Sequence, residues 1–288
     1  MLYNKIGDVM YTELLLGISI LPSVILGFYI YKNDKIEKEP KSLLIKLFLS
    51  GIVSVILTII LTSIFTRIFP ILNYENSTNL LTLFVAVFVG IAFIEEVSKY
   101  IMLKMISWKS NDFRYIYDGI VYAVFVSLGF ATIENILYVL NGGISVGIMR
   151  AILSVPAHAF FGIIMGLYYG MAKKATFLNN NKEETKNKKL AILIPTILHG
   201  IFDYCLFAEI GILVFFYLVF VICLYINSFR IVKKMSLNND YFVEQNNTNL
   251  NSDNSIINVS LKNENNRCDK CGYIANGNYC ENCGTKIK

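Results

Sequence analysis

Apolar stretches long enough to cross a bilayer recur almost without pause between residues 11 and 229. A membrane-spanning helix needs about 20 mostly apolar residues. Seven segments qualify: 11–31, 43–69, 79–105, 119–140, 144–172, 190–208 and 212–229. The runs are continuous rather than alternating, which excludes a transmembrane β-barrel. Charged residues make up 16% of the chain and the mean hydropathy is +0.53, whereas soluble domains carry about 25% charged residues. A soluble globular enzyme, a disordered chain and a secreted disulfide scaffold are therefore excluded. The expected fold is an all-α polytopic membrane protein of about seven transmembrane helices with a small C-terminal zinc-ribbon module. The 144–172 segment is long and is expected to tilt, or to break near Pro156.

Lysine and arginine in the short connections set the orientation. Lys32, Lys35, Lys38 and Lys41 lie at the first connection, Lys109 and Arg114 at the third, and Lys173, Lys174, Lys182, Lys186, Lys188 and Lys189 at the fifth. Arg230, Lys233 and Lys234 follow the last span, while connections 70–78, 141–143 and 209–211 carry no Lys or Arg. This alternation predicts an outside N-terminus and a cytoplasmic C-terminus in the cell membrane. Only Lys5 precedes the first span and no A-x-A pattern follows, so that span reads as retained rather than cleaved. The net charge of +5 is spread between spans, so no nucleic-acid partner is expected.

Residues 1–235 form the expected membrane domain. Between 236 and 266, eleven of 31 residues are Asn, the composition of a polar linker that cannot build a core. Residues 267–288 carry Cys268, Cys271, Cys280 and Cys283 as two CxxCG knuckles. Four thiolates satisfy tetrahedral zinc and leave no open position, so a structural zinc is expected there. Two disulfides are the alternative, disfavoured by a reducing cytoplasm. Nothing in the sequence identifies a partner of this ribbon. Cys205 and Cys223 lie in spans and read as packing residues.

Ionisable residues inside spans are costly and default to a functional reading. Here they are Glu95, Glu96 and Lys99 in the third span, Glu134 beside Asn135 in the fourth, His158 in the fifth, and His199 and Asp203 in the sixth. The chain has no other histidine. At a rise of 1.5 Å per residue, Glu95, Glu134, His158, His199 and Asp203 fall roughly 13–22 Å deep. One slab of acids and imidazoles from four helices predicts a shared polar cavity.

Spacing sharpens that prediction. Glu95 and Lys99 are four apart, as are His199 and Asp203, so each pair shares a helix face. Asp203 is placed to orient the His199 imidazole. His158, Gly162, Gly166 and Gly170 also recur every four residues, a stripe that permits close helix approach. Pro156 and Pro195 precede the two histidines and open local space. Carboxylates beside imidazoles suit hydrolysis by water: a Glu takes the proton, and imidazole binds a metal or stabilises the oxyanion. A structural ion pair, an ion-coupled transporter and a non-catalytic binding protein fit the same residues on physics alone. A transporter would be expected to carry inverted repeats, and none is apparent.

Glu95-Glu96-Val-Ser-Lys99 resembles the EExxK motif of the PrsW family of intramembrane proteases. Phe130-Ala-Thr-Ile-Glu134-Asn135 resembles its FxxxEN motif, Pro156-Ala-His158 its histidine-bearing span, and His199-Gly-Ile-Phe-Asp203 its HxxxD motif. The likeness covers roughly residues 80–230. The family is similar to the CAAX prenyl protease/Abi superfamily, in which the first motif ends in Arg and the second carries His. The resemblance implies an intramembrane endopeptidase acting on single-span membrane-anchored regulators such as anti-sigma factors. It implies catalytic roles for Glu95, Glu96 and His199, supported by His158, Glu134, Asp203 and Lys99. His158, His199 and Glu134 are the candidate ligands of a catalytic zinc, with a metal-free Glu/His site as the alternative. The ribbon is an addition to the family pattern.

Overall fold

The computed structural model describes residues 2–237, with side chains from residue 10 onward. The linker beyond residue 237 and the four ribbon cysteines lie outside the described residues. Within them the chain is helical and contains no strand. Helix α1 covers Leu2–Asn33 and α2 Lys41–Ile68; α3 runs from Leu80 to Ser107. Helix α4 is Ile116–Ile152, α5 Ser154–Phe177, α6 Asn181–Phe207 and α7 Gly211–Met235. Asn79 starts α3 by accepting hydrogen bonds from the Leu81 and Thr82 N–H groups, and Asn180 starts α6 by accepting from Glu183 N–H. These caps satisfy donors that a helix start leaves open.

The stretch Ile116–Phe177 is 62 residues of nearly unbroken apolar helix. A straight helix of that length would reach about 93 Å, some three times the hydrocarbon core. The chain instead reverses at Gly143, where φ is +75° and ψ −165°, a backbone state open to glycine and costly for other residues. It then breaks at Leu153 and restarts with Pro156 in the first turn of α5, where proline costs least. The expected 144–172 span is therefore a short helical segment, 144–152, followed by the true crossing in α5. The break falls just before Pro156.

Six stretches among the described residues are long and apolar enough to cross a membrane, and α4 and α5, the two arms of the longest, pack antiparallel. The small-residue stripe sets their approach. A Cβ at Gly166 would sit 2.4 Å from the Gly119 carbonyl oxygen and the Ile120 Cα. One at Gly170 would meet the Ile116 oxygen at 2.6 Å, and one at Gly162 the Ser127 hydroxyl at 2.9 Å. Gly51 and Gly129 do the same for α2 against α4: a Cβ at either would come within 2.0 Å of a backbone oxygen of the facing helix. Helix α4 is the central member, with Ile120 to Val124 and Val126 fully enclosed. The outer faces of α1, α2 and α7 are strongly apolar and exposed, at Ile56, Ile60, Phe215 and Ile222 among others. That inversion of the soluble pattern is what lipid requires. The chain is a multi-pass membrane protein.

Candidate active site

From Ala86 to Phe93 the backbone of α3 widens into a π-helix, a departure found mostly at functional positions. Gly90 lets this segment press on the 70–72 turn, and Gly200 of α6 sits where a Cβ would come 2.5 Å from the Phe88 ring. The helix bearing His199 is thus seated on the π segment, immediately before Glu95 and Glu96.

The sequence-predicted residues converge. A cavity of about 290 Å³ is lined by Glu95, Glu134, His158, His199 and Asp203, with apolar walls including Phe161, Leu153 and Phe202. The two adjacent glutamates behave differently. Glu95 faces the cavity and is 13% exposed; Glu96 is fully buried behind it. Lys99, also fully buried, donates to Glu96 Oε1 at 2.8 Å, to Glu95 Oε2 at 3.5 Å and to His158 Nδ1 at 3.3 Å. Its ammonium lies 4.2 Å from the centre of the Phe130 ring, a favourable cation–π placement. This one lysine ties α3 to α5.

Each imidazole has a partner at both nitrogens. His158 Nδ1 receives Lys99, which leaves its proton on Nε2, 2.6 Å from Glu134 Oε2. His199 Nδ1 lies 2.9 Å from Glu96 Oε1, and its Nε2 lies 3.2 Å from Asp203 Oδ2 and 3.9 Å from Glu95 Oε2. Nδ1 is hydrogen-bonded to Glu96, and Nε2 lies in ion-pair range of the two cavity carboxylates. The two rings are 5.4 Å apart in T-shaped contact, and Phe161 stacks on His199 at 4.9 Å. Phe161 fixes the ring plane while the carboxylates fix its edge.

A bound zinc would need three or four donors directed at one point at about 2.0–2.2 Å. Here the donors are paired with one another instead, and no three His, Cys, Asp or Glu among the described residues are placed to hold a metal. The arrangement does not fit a metal as it stands.

One site residue escaped the sequence reading. Arg150 lines the cavity beside Glu134 and stacks its guanidinium 4.1 Å from the centre of the Tyr138 ring. Its Nη2 is 3.1 Å from Glu134 Oε1. The signal was present: Arg150 is the sole Lys or Arg between residues 144 and 172, and an arginine within an expected span asks for a partner.

A family model described as "PrsW family intramembrane metalloprotease" matches residues 39–227. The protein named Protease PrsW of Oceanobacillus iheyensis is 40% identical over 192 residues, 67% of this chain and 82% of that protein. Protease PrsW of Clostridioides difficile is 34% identical over 225 residues, 76% of this chain and 90% of its own. That of Bacillus subtilis is 34% identical over 194 residues, 67% and 83% of the two chains. No solved structure matches the chain. The matched region starts in the α1–α2 connection, well before the expected residue 80, and takes in every helix that supplies a cavity residue. This chain belongs to the PrsW family of intramembrane proteases.

Proposed function

We propose that the cavity hydrolyses a peptide bond of a membrane-anchored regulatory protein of the anti-sigma-factor kind, a single-span substrate, with Glu95 as general base. The observation that carries this reading is the cavity itself: Glu95, His199 and Asp203 open onto one space beside His158 and Glu134. Glu95 takes a proton from water as the oxygen attacks the scissile carbonyl carbon. The Nε2–H of His199, on the ring edge beside Asp203, stabilises the oxyanion, while Glu96 holds the ring at Nδ1. Collapse breaks the C–N bond, and the proton held by Glu95 passes to the leaving amine. A helical substrate must unwind locally, because its amides are already hydrogen-bonded.

The family description implies a metal. With each imidazole nitrogen facing Lys99 or a carboxylate, the steps above are assigned to side chains alone. We also propose, from the charge alternation of the connections, an outside N-terminus and a cytoplasmic tail whose Cys268, Cys271, Cys280 and Cys283 hold a structural zinc.

The test is cleavage of a single-span reporter substrate by purified, stably inserted chains. Glu95→Gln and His199→Ala are expected to lose activity by 10²-fold or more, an order set by the value of a positioned base. Normal cleavage by both would end the assignment. Zinc analysis on the same samples is expected to give one equivalent, lost with Cys268→Ser. A second equivalent that disappears with His199→Ala would put a metal in the cavity and overturn the side-chain mechanism.

A further inference from the structure

Arg150 has no part in the steps above, yet it touches the cavity and both polar residues of the Glu134-Asn135 pair. It reaches them because the chain reverses at Gly143, folding 144–152 back onto 134–139; Gly147 packs against Val139 at the fold. The guanidinium Nε donates to Asn135 Oδ1 at 3.0 Å, and Nη2 lies 3.1 Å from Glu134 Oε1. Asn135 in turn donates to the Ser19 carbonyl of α1 at 2.9 Å. The other Glu134 oxygen faces His158 Nε2 at 2.6 Å. Arg150 therefore grips one oxygen of a carboxylate whose second oxygen meets the catalytic cluster.

We infer that Arg150 is a positioning residue. It fixes the Glu134 carboxylate so that Oε2 holds the His158 ring in register with Lys99 and the cavity. Arginine is suited to this task, because its Nε hydrogen-bonds Asn135 while the charge at Nη2 sits against the neighbouring Glu134 carboxylate as an ion pair. Lysine offers one point charge at the same place and cannot make both contacts. The inference rests on the proteolytic reading of the cavity, and its test has an arm independent of cleavage.

In the cleavage assay, Arg150→Ala is expected to lower kcat about 10–100-fold, the usual effect of losing a residue that orients a catalytic ligand or base, with KM within twofold. Arg150→Lys should fall between it and the wild type, and added guanidinium ion should restore part of the Arg150→Ala rate. In a Glu134→Gln background, Arg150→Ala should cause no further loss, since the two act in series. Unchanged kcat in Arg150→Ala, or losses that multiply with those of Glu134→Gln, would overturn the role.

The independent arm uses the chain's two histidines. Imidazole ¹⁵N labelling, assigned with His199→Gln, reads the His158 Nε2–H resonance directly. Arg150→Ala should move that resonance upfield as the 2.6 Å contact with Glu134 Oε2 loosens, and Arg150→Lys should move it less. A wild-type chain that cuts nothing would defeat the proteolytic reading but leave this arm intact. An unmoved His158 resonance in Arg150→Ala would defeat the positioning role whatever the activity.

Discussion

Lys99 is fully enclosed, with Glu96, Glu95 and His158 around its ammonium. A buried charge is tolerated only when its partners replace the water it loses, and here the partners come from two helices. Removing the lysine leaves the sealed Glu96 with the His199 ring as its sole polar side-chain partner among the described residues. Lys99→Met is expected to destabilise the chain by about 3–5 kcal/mol, the cost of breaking one side of a buried pair. Adding Glu96→Gln should recover most of that loss. Reversible unfolding in detergent measures both, and a Lys99→Met chain as stable as wild type would contradict the account. The EExxK spacing made this cluster legible, but it favoured Glu95, four residues away, as the partner. The shorter contact is to Glu96, three residues away, because burial removes the competition from water there. Arg150 was hidden for a different reason: the connection at 141–143 was legible, but 144–172 read as one span, and hydropathy does not show that 144–152 folds back on α4 as a segment of its own.

At the scale of the helix, the glycine stripe of α5 does what its spacing suggested, and it has a counterpart the sequence did not point out. Gly119 on α4 lies against Gly166 and Gly170, so both surfaces of the contact are bare backbone. Spacing marks which residues share a face; it does not say which helix lies opposite. Gly166→Ala forces a methyl group into backbone that cannot move aside and is expected to cost about 1–3 kcal/mol or more. Gly17→Ala is the matched control, since nothing lies within 4 Å of that position. Thermal unfolding of the two variants should separate them clearly, and equal melting temperatures would contradict the tight α4–α5 crossing. The Pro156 expectation came close: the break precedes the proline by a few residues, because proline fits the first turn of a new helix better than the interior of an old one.

Across the whole molecule, a second group of acids lies apart from the cavity, where the α1–α2 connection meets α4. Glu39 is buried and accepts a hydrogen bond from the Tyr122 hydroxyl at 2.6 Å. Asp118 lies beside it and accepts from the Arg114 and Tyr115 N–H groups. Asp34 is buried nearby, with Lys38 acting against its burial. Burial, reinforced by the charge of Asp118, pushes Glu39 from 4.5 up to about 9, and burial pushes Asp34 up to about 6. The folded chain therefore holds the Glu39 proton more tightly than the unfolded chain does. Its stabilisation is complete below about pH 4.5 and is lost as pH rises through about 9. Glu39→Gln should raise the melting temperature at pH 8 relative to wild type and change it little at pH 5. Parallel melting curves across that range would contradict the buried neutral acid. Hydropathy made the spans legible but gave no sign of this contact, which joins residues 83 apart in the chain.

Glu95 and Glu96 are neighbours in the chain, but a helix turns its side chains by about 100° per residue. One carboxylate meets the cavity and the other is walled off behind it. A small carboxyl-reactive epoxide diffusing into that space would alkylate a single member of the acidic doublet. The covalent mark would fall on Glu95 and leave its sealed neighbour untouched, so a chemical probe can separate two positions that a pattern of letters treats as a pair.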